Sequence, residues 1–285
     1  MIAALRVELA DRDLDLPIYW GNRNSAPFLD DAVQQMADDG VSRALAFVTS
    51  AYSSYSGCRQ YRDNLAQAQS TVGEAAPEID KLRVFFNHPG FVDPLVDGLR
   101  AELEGVDPTT TKVFFTAHSI PTSMAESSMY VGQLESACEL VAQAFGDAIP
   151  DWELVWQSRS GPPSMPWLEP DIVDAVNAID DDTETVIIVP IGFVSDHMEV
   201  IQDLDTDAAE AASNRGLDFR RVATSGTDPR FIAMIADLVA ERTAGETPVS
   251  LGPLQLVPTQ CSETCCPAPQ RPKSGALSGA RPARG

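Results

Sequence analysis

Short apolar runs alternate along the chain with longer stretches in which apolar residues recur every three or four positions. The runs at residues 16–20, 44–49, 82–87, 112–116, 153–157, 185–190 and 219–222 have the length of strands. Between them, residues 26–38, 58–72, 91–104, 124–145, 170–179, 199–213 and 228–242 carry helical spacing. Strand and helix taking turns predicts an α/β protein, with parallel sheets covered by helices on both faces. The pattern divides into two Rossmann-like, doubly wound units, residues 1–111 and 112–245, although no repeat relates their sequences. Residues 246–285 form an extension rich in Pro, Gly, Ser and Ala, and its last twenty or so residues are expected to be disordered. Residues 1–11 have a helical pattern, whereas a doubly wound unit opens with a buried strand and a ligand-binding loop. The expectation is therefore that the first unit lacks its opening strand.

Composition narrows the classes of function. At 285 residues, with 44% hydrophobic and 22% charged residues, the chain has the makeup of an ordinary globular protein with a sizeable core. Forty-two acidic against twenty basic residues give a formal charge of −22, which repels nucleic acid and anionic lipid surfaces. The longest apolar runs fall well short of the roughly 20 residues that span a bilayer, and no charged-then-apolar leader opens the chain, so a cytoplasmic protein is expected. The cysteines are five, and three of them, Cys261, Cys265 and Cys266, crowd into one short segment. That pattern favours a metal site over a disulfide framework.

Candidate chemistry gathers after the apolar runs, where open α/β sheets bind their ligands. His118 follows one strand, as a ligand-facing group or as a ring merely bonded to a loop carbonyl. Residues 190–199, reading Pro-Ile-Gly-Phe-Val-Ser-Asp-His-Met-Glu, follow another and place Asp196, His197 and Glu199 at a strand-to-helix turn. Ser195 or Asp196 alone could be a helix cap there. Glu199, Asp203 and Asp207 recur every four residues, as a carboxylate ladder for a divalent cation or as a solvated acidic face. Asp205 shows that acid is not confined to one side. The loop from Tyr52 to Gly57, with Cys58, Arg59 and Tyr61 after it, offers rings and hydroxyls for a flat aromatic ligand, or else is an ordinary turn.

Three stretches in order, residues 114–121 (Phe-Phe-Thr-Ala-His-Ser-Ile-Pro), 156–168 (opening Trp-Gln-Ser-Arg-Ser-Gly-Pro-Pro and closing Pro-Trp-Leu) and 189–199, closely resemble the signatures of ferrochelatases. With residues 21–27, the resemblance runs from the first residues to about Arg242. It implies two Rossmann-like domains with a porphyrin cleft between them, and insertion of Fe2+ into a porphyrin during haem biosynthesis. It implies that His118 and Glu199 face the macrocycle from opposite sides and handle iron and protons. It further implies that Asp203 and Asp207 conduct metal or protons, that Tyr61 contacts the porphyrin, and that Asp196 and His197 orient Glu199. Cys58 with Cys261, Cys265 and Cys266 is similar to the cysteine set of actinobacterial members that carry a 2Fe-2S cluster, with zinc or free thiols as the alternatives. By the same resemblance coproporphyrin III is favoured over protoporphyrin IX. Cys138, at a helical position, is read as a small apolar core residue. Two competing functions are an inactive, N-terminally truncated porphyrin- or haem-binding protein and a cobalt or nickel chelatase for another tetrapyrrole; the segment 156–168 speaks against the second.

Overall fold

The computed structural model describes residues 1–254, 261–262 and 264–268; all but the first few residues of the tail expected to be disordered lie outside them. After α1 (Ile2–Asp11) and α2 (Leu29–Asp38), β1 (Arg43–Ala46) pairs in parallel with β2 (Glu78–Lys81), and α3 (Gln60–Val72) joins the two. Next, α4 (Pro89–Glu102) leads to β3 (Thr111–His118). Two helices, α5 (Thr122–Glu126) and α6 (Tyr130–Gln143), precede β4 (Asp151–Gln157), and α7 (Ile172–Asn177) precedes β5 (Thr185–Val189). The chain continues through α8 (Met198–Val200), a π-helix (Ile201–Ala208) and α9 (Ala209–Asn214) to β6 (Asp218–Arg221) and α10 (Pro229–Thr243). The last four strands form one parallel sheet in the order β4-β3-β5-β6. The expected α/β architecture of parallel sheets and helices is thus present.

Alternation of side chains across the central strands explains why their sequences read as unbroken apolar runs. Val113, Phe115 and Ala117 of β3, with Ile187 and Val189 of β5, belong to a core shared with α4, α6 and α10. Phe114, Val186 and Ile188 point the other way, into a core with α7 and the helix after β5. Both faces are buried, so neither parity can be polar. Among residues 113–117 and 186–189 Thr116 is the exception, fully buried with its hydroxyl unpaired.

The first core also takes in Tyr52, Phe85, Phe86 and Phe91 and so runs beneath both sheets. α10 returns to pack on α4 and α1. Gly90 permits this approach, because a Cβ there would stand 2.4 Å from the Arg230 carbonyl oxygen.

Several expectations are corrected. Residues 16–20 join neither sheet, and Leu16 and Trp20 are exposed; an apolar run becomes a strand only where a neighbour accepts its backbone bonds. They line a groove of about 1050 Å³ with α1 and α2. Residues 82–87 are not a strand either: the Leu82 N–H still bonds to the Ala46 carbonyl, at 2.9 Å, but the paired segment is the more polar Glu78–Lys81 before it. The stretch 124–145 is two helices, parted where the Ser127 and Ser128 hydroxyls bond to the Met124 carbonyl, at 3.1 and 2.9 Å. Residues 199–213 are helical throughout but widen to π winding in the middle.

Candidate functional site

His118 is the last residue of β3, at the carboxyl edge of the sheet. Its ring Nδ1 lies 2.5 Å from the Ser119 carbonyl oxygen. A carbonyl can only accept, so Nδ1 carries the proton and a neutral ring leaves its lone pair on Nε2. Nε2 faces the Glu199 carboxylate, 3.9 Å from Oε2. Both side chains are partly open to solvent, at 33% and 57% exposure, as groups that meet a ligand must be. The loop after β5 brings Glu199 there by resting on β3: Gly192 donates its N–H to the Thr116 carbonyl, at 2.9 Å. A Cβ on Gly192 would lie 2.6 Å from Ala117 Cα, so a larger residue would push the loop away from the histidine strand.

Segment 156–168 is stitched to the loop that follows His118. The Ser119 hydroxyl donates to the Leu168 carbonyl at 2.8 Å, and the Thr122 and Leu168 amides bond to Pro166 and Ile120 at 3.0 and 3.1 Å. Gly161 lies against Trp167, whose indole Nε1 would be 2.3 Å from an added Cβ.

The acid run resolves into two sets with different partners. Asp203 accepts hydrogen bonds from the Gln157 side-chain amide, at 3.2 Å, and from the Ser158 hydroxyl. Gln157 ends β4 and pairs in register with His118; its side chain is fully buried and its Oε1 has no partner. Ser158 adopts the left-handed region at φ 61°, an uncommon conformation for a residue with a Cβ. Asp207 accepts from Gln202 at 2.9 Å. Asp171, at the start of α7, has its carboxyl raised above the ordinary range by burial and by the nearby charges of Asp174, Asp203 and Asp207. In contrast, Asp205 and Asp196 are both bonded to Arg221, the last residue of β6. Asp196 is therefore an ion-pair partner, not a cap; the residue before α8 is His197, which makes no side-chain cap and packs its ring edge-on to Phe193, 5.3 Å away. Sequence reading gave Gln157 and Ser158 no role beyond their place in the 156–168 stretch, and it missed Arg221, which no local pattern marks.

The aromatic loop after β1 is less open than its composition implies. Tyr52, Ser53 and Ser54 are buried. Tyr52 packs edge-on to Phe91 and Tyr130 and donates its hydroxyl to the Ile191 carbonyl at 2.8 Å, which ties this loop to the one that leads to Glu199. It serves the core and is no ligand platform. Tyr61 remains partly exposed in the first turn of α3, with the Arg23 guanidinium 4.7 Å above its ring.

Four cysteines lie near one another. Cys58 is buried in the π turn before α3, and the Cys265 and Cys266 sulfurs are 3.5 Å apart. Burial first, then Cys265 and Cys58, push the Cys261 thiol up to about 11 and the Cys266 thiol up to about 12. Each is thus within reach of the others' charge, although among the described residues no group of three or more His, Cys, Asp or Glu is already closed around a metal-sized space. Cys138 sits apart, fully buried in α6.

Comparison with known proteins agrees with these features. The family model described as Ferrochelatase matches residues 1–243. The chain is 50% identical to the ferrochelatase of Rhodopirellula baltica, over 99% of this chain and 81% of that protein. It is 47% identical to the coproporphyrin III ferrochelatase of Streptomyces coelicolor, over 94% of this chain and 78% of that one. Among solved structures, the sirohydrochlorin chelatase of Bacillus subtilis subspecies spizizenii, in complex with cobalt, superposes with a TM-score of 0.52 at 10% identity, covering 86% of this chain and 88% of that one. At that identity the likeness concerns the fold alone. With a family match across most of its length and relatives near half identity, this chain belongs to the ferrochelatase family and is a metal-chelating enzyme.

Proposed function

We propose that the protein inserts Fe2+ into coproporphyrin III, with the macrocycle lying between the units 1–111 and 112–245 and its centre at His118 and Glu199. The observation that carries this is His118 Nε2 facing the Glu199 carboxylate, 3.9 Å away, at the carboxyl edge of the sheet. A free porphyrin holds two pyrrole N–H protons, and both must leave as one Fe2+ enters. The imidazole lone pair can take a proton and the carboxylate can balance the charge of the arriving cation. Asp203 and Asp207 continue from Glu199 along the same helix and form the path for metal or protons. Tyr61, held by Arg23, meets the ring edge. Near-half identity to the coproporphyrin III ferrochelatase of Streptomyces coelicolor favours coproporphyrin III as the substrate.

The thiols of Cys58, Cys261, Cys265 and Cys266 suit a 2Fe-2S cluster, since four thiolates satisfy one and both Cys261 and Cys266 lie close enough to Cys58 and Cys265 to feel their charge. Ligation to the metal would displace the protons of the two raised thiols to solvent. Such a cluster supplies one-electron redox chemistry or a structural clip. Protein purified without oxygen should contain iron and sulfide and be brown, and Ser at any of the four should bleach it while Cys138→Ser should not. Stoichiometric zinc without sulfide would overturn the cluster.

The decisive experiment measures Fe2+ insertion into coproporphyrin III anaerobically, by loss of porphyrin fluorescence. His118→Ala and Glu199→Gln should each lower the rate on the order of 10²- to 10⁴-fold, with circular dichroism and porphyrin binding unchanged. Near-normal turnover by His118→Ala overturns the assignment, and a wild-type chain that binds porphyrin without taking up iron is a binding protein instead.

A further inference from the structure

The helix that begins with α8 packs on one face of the four-stranded sheet and is tied to the carboxyl ends of both of its outer strands. On the β4 side, Gln157 and Ser158 hold Asp203. On the β6 side, Arg221 holds Asp205 through two contacts, Nε to Oδ1 at 2.5 Å and Nη2 to Oδ2 at 3.1 Å. The same guanidinium reaches Asp196, in the loop before α8, through Nη1 at 3.1 Å, and the Val222 carbonyl at 3.3 Å. A planar guanidinium that engages a carboxylate with two parallel bonds fixes direction as well as charge.

This arrangement solves a problem posed by the sequence. Carboxylates stand at 199, 203 and 207 on one side of the helix and at 205 on the other, because residues four apart share a face and residues two apart do not. Burial of Val200, Leu204 and Ala208 fixes which side of the helix meets the core, but a small rotation within that packing would still carry Asp203 and Asp207 away from the histidine strand and Asp205 toward it. Like charges at this spacing repel and do nothing to choose between the two settings. Arg221 is the cation that sorts them, since it pairs with Asp196 and Asp205 on the far side.

We infer that Arg221 is a positioning residue for metal insertion: by clamping Asp205 and Asp196 against β6 it sets the rotation of the acidic helix, so that Glu199, Asp203 and Asp207 face His118 and β4. The inference rests on the reading of Asp203 and Asp207 as the metal or proton path. It gives Arg221 no contact with porphyrin or iron, and its effect passes through Asp203.

Steady-state iron insertion with Arg221→Met, Arg221→Lys, Asp205→Asn, Asp203→Asn and the Arg221→Met/Asp203→Asn double variant tests it. Arg221→Met should raise KM for Fe2+ on the order of 10- to 100-fold, the scale of an ångström of misplacement, and leave the porphyrin Kd unchanged. Arg221→Lys, which keeps the charge without the fork, should recover part of the loss. In the Asp203→Asn background, Arg221→Met should add little, as for residues that act through one another. An unchanged KM for Fe2+ in Arg221→Met, or full additivity with Asp203→Asn, overturns the clamp. Should Arg221→Met fail to fold, Asp205→Asn removes only the helix arm and must shift KM in the same direction; an unaltered value again overturns it. Wild-type behaviour of Asp203→Asn would bring down the path reading together with the clamp, whereas a damaged Asp203→Asn beside an indifferent Arg221→Met removes the clamp alone.

Discussion

The four-stranded and the two-stranded sheet are both parallel and both strung on helices, yet they divide the work between side chain and backbone differently. In the larger sheet, residues 113–117 and 186–189 are at most 1% exposed, and the same residues make the ladder. In the smaller sheet the two roles separate. Glu78–Lys81 pair with β1 while exposed or half-buried, whereas Val84, Phe85 and Phe86 next to them are buried without entering a strand. Apolar character reports what a side chain avoids; a strand is defined by what the backbone meets.

The contrast can be broken by mutation at matched positions. Phe115→Ala in β3 removes a fully buried ring packed edge-on to Trp152, 5.5 Å away, and should cost about 3–5 kcal/mol. Leu45→Ala in β1, only half-buried, should cost no more than about 2 kcal/mol by the same reasoning. Urea-denaturation midpoints measure both, and equal losses would mean that the smaller sheet carries as much of the core as the larger.

A second test concerns the packing beneath the smaller sheet. His88 caps α4, its Nδ1 accepting from the Gly90 N–H at 3.0 Å, so its proton sits on the buried Nε2, 3.8 Å from an Asp237 oxygen. Burial, then Arg83, lower its pKa from 6.5 to about 4, against the opposing pull of Asp237 and Glu241. The folded chain therefore refuses a proton that the unfolded chain accepts. This contribution is complete above about pH 6.5 and is lost as pH falls toward 4, by up to about 3 kcal/mol. His88→Asn should flatten that part of the stability profile; an unchanged slope between pH 6.5 and 4 would assign it to other groups.

The smallest effect is expected at Arg43, which bridges β1 to Asp80 and Glu78 of β2 at 3.0 and 3.6 Å. Its side chain is 66% exposed, so Arg43→Ala should cost less than about 1 kcal/mol. A larger loss in thermal melting would mean that charge, and not the underlying core, holds this pair together.

Legibility in the sequence followed the same divide. β3 and β5 were readable because two buried faces demand apolar residues, and His118 at the end of the first run and Glu199 in the loop-to-helix segment after the second stood out as candidates from that placement. Residues 16–20 misled, since their apolar character reflects the groove they line. β2 was hidden by its polarity. The acidic run announced a helix with charge on it, but neither the π winding nor the division of its carboxylates could be read, because that division depends on Gln157 and Arg221, about fifty residues upstream and about twenty downstream in the sequence. A local pattern cannot name a partner from another strand.

The return of α10 onto α4 has a consequence for how the chain is made. Phe231 of α10 is fully buried among Phe47, Phe85 and Phe91, with ring centroids 5.9 to 6.4 Å apart. During synthesis those three rings leave the ribosome more than a hundred residues before their partner does. At about 5–20 residues per second, they wait for roughly 7 to 37 s without it. Through that interval the four-stranded sheet is still being built, and an aromatic surface meant for the interior stands open to chaperones and to other nascent chains. Release of the last helix, and not completion of the first sheet, is the event that ends the exposure.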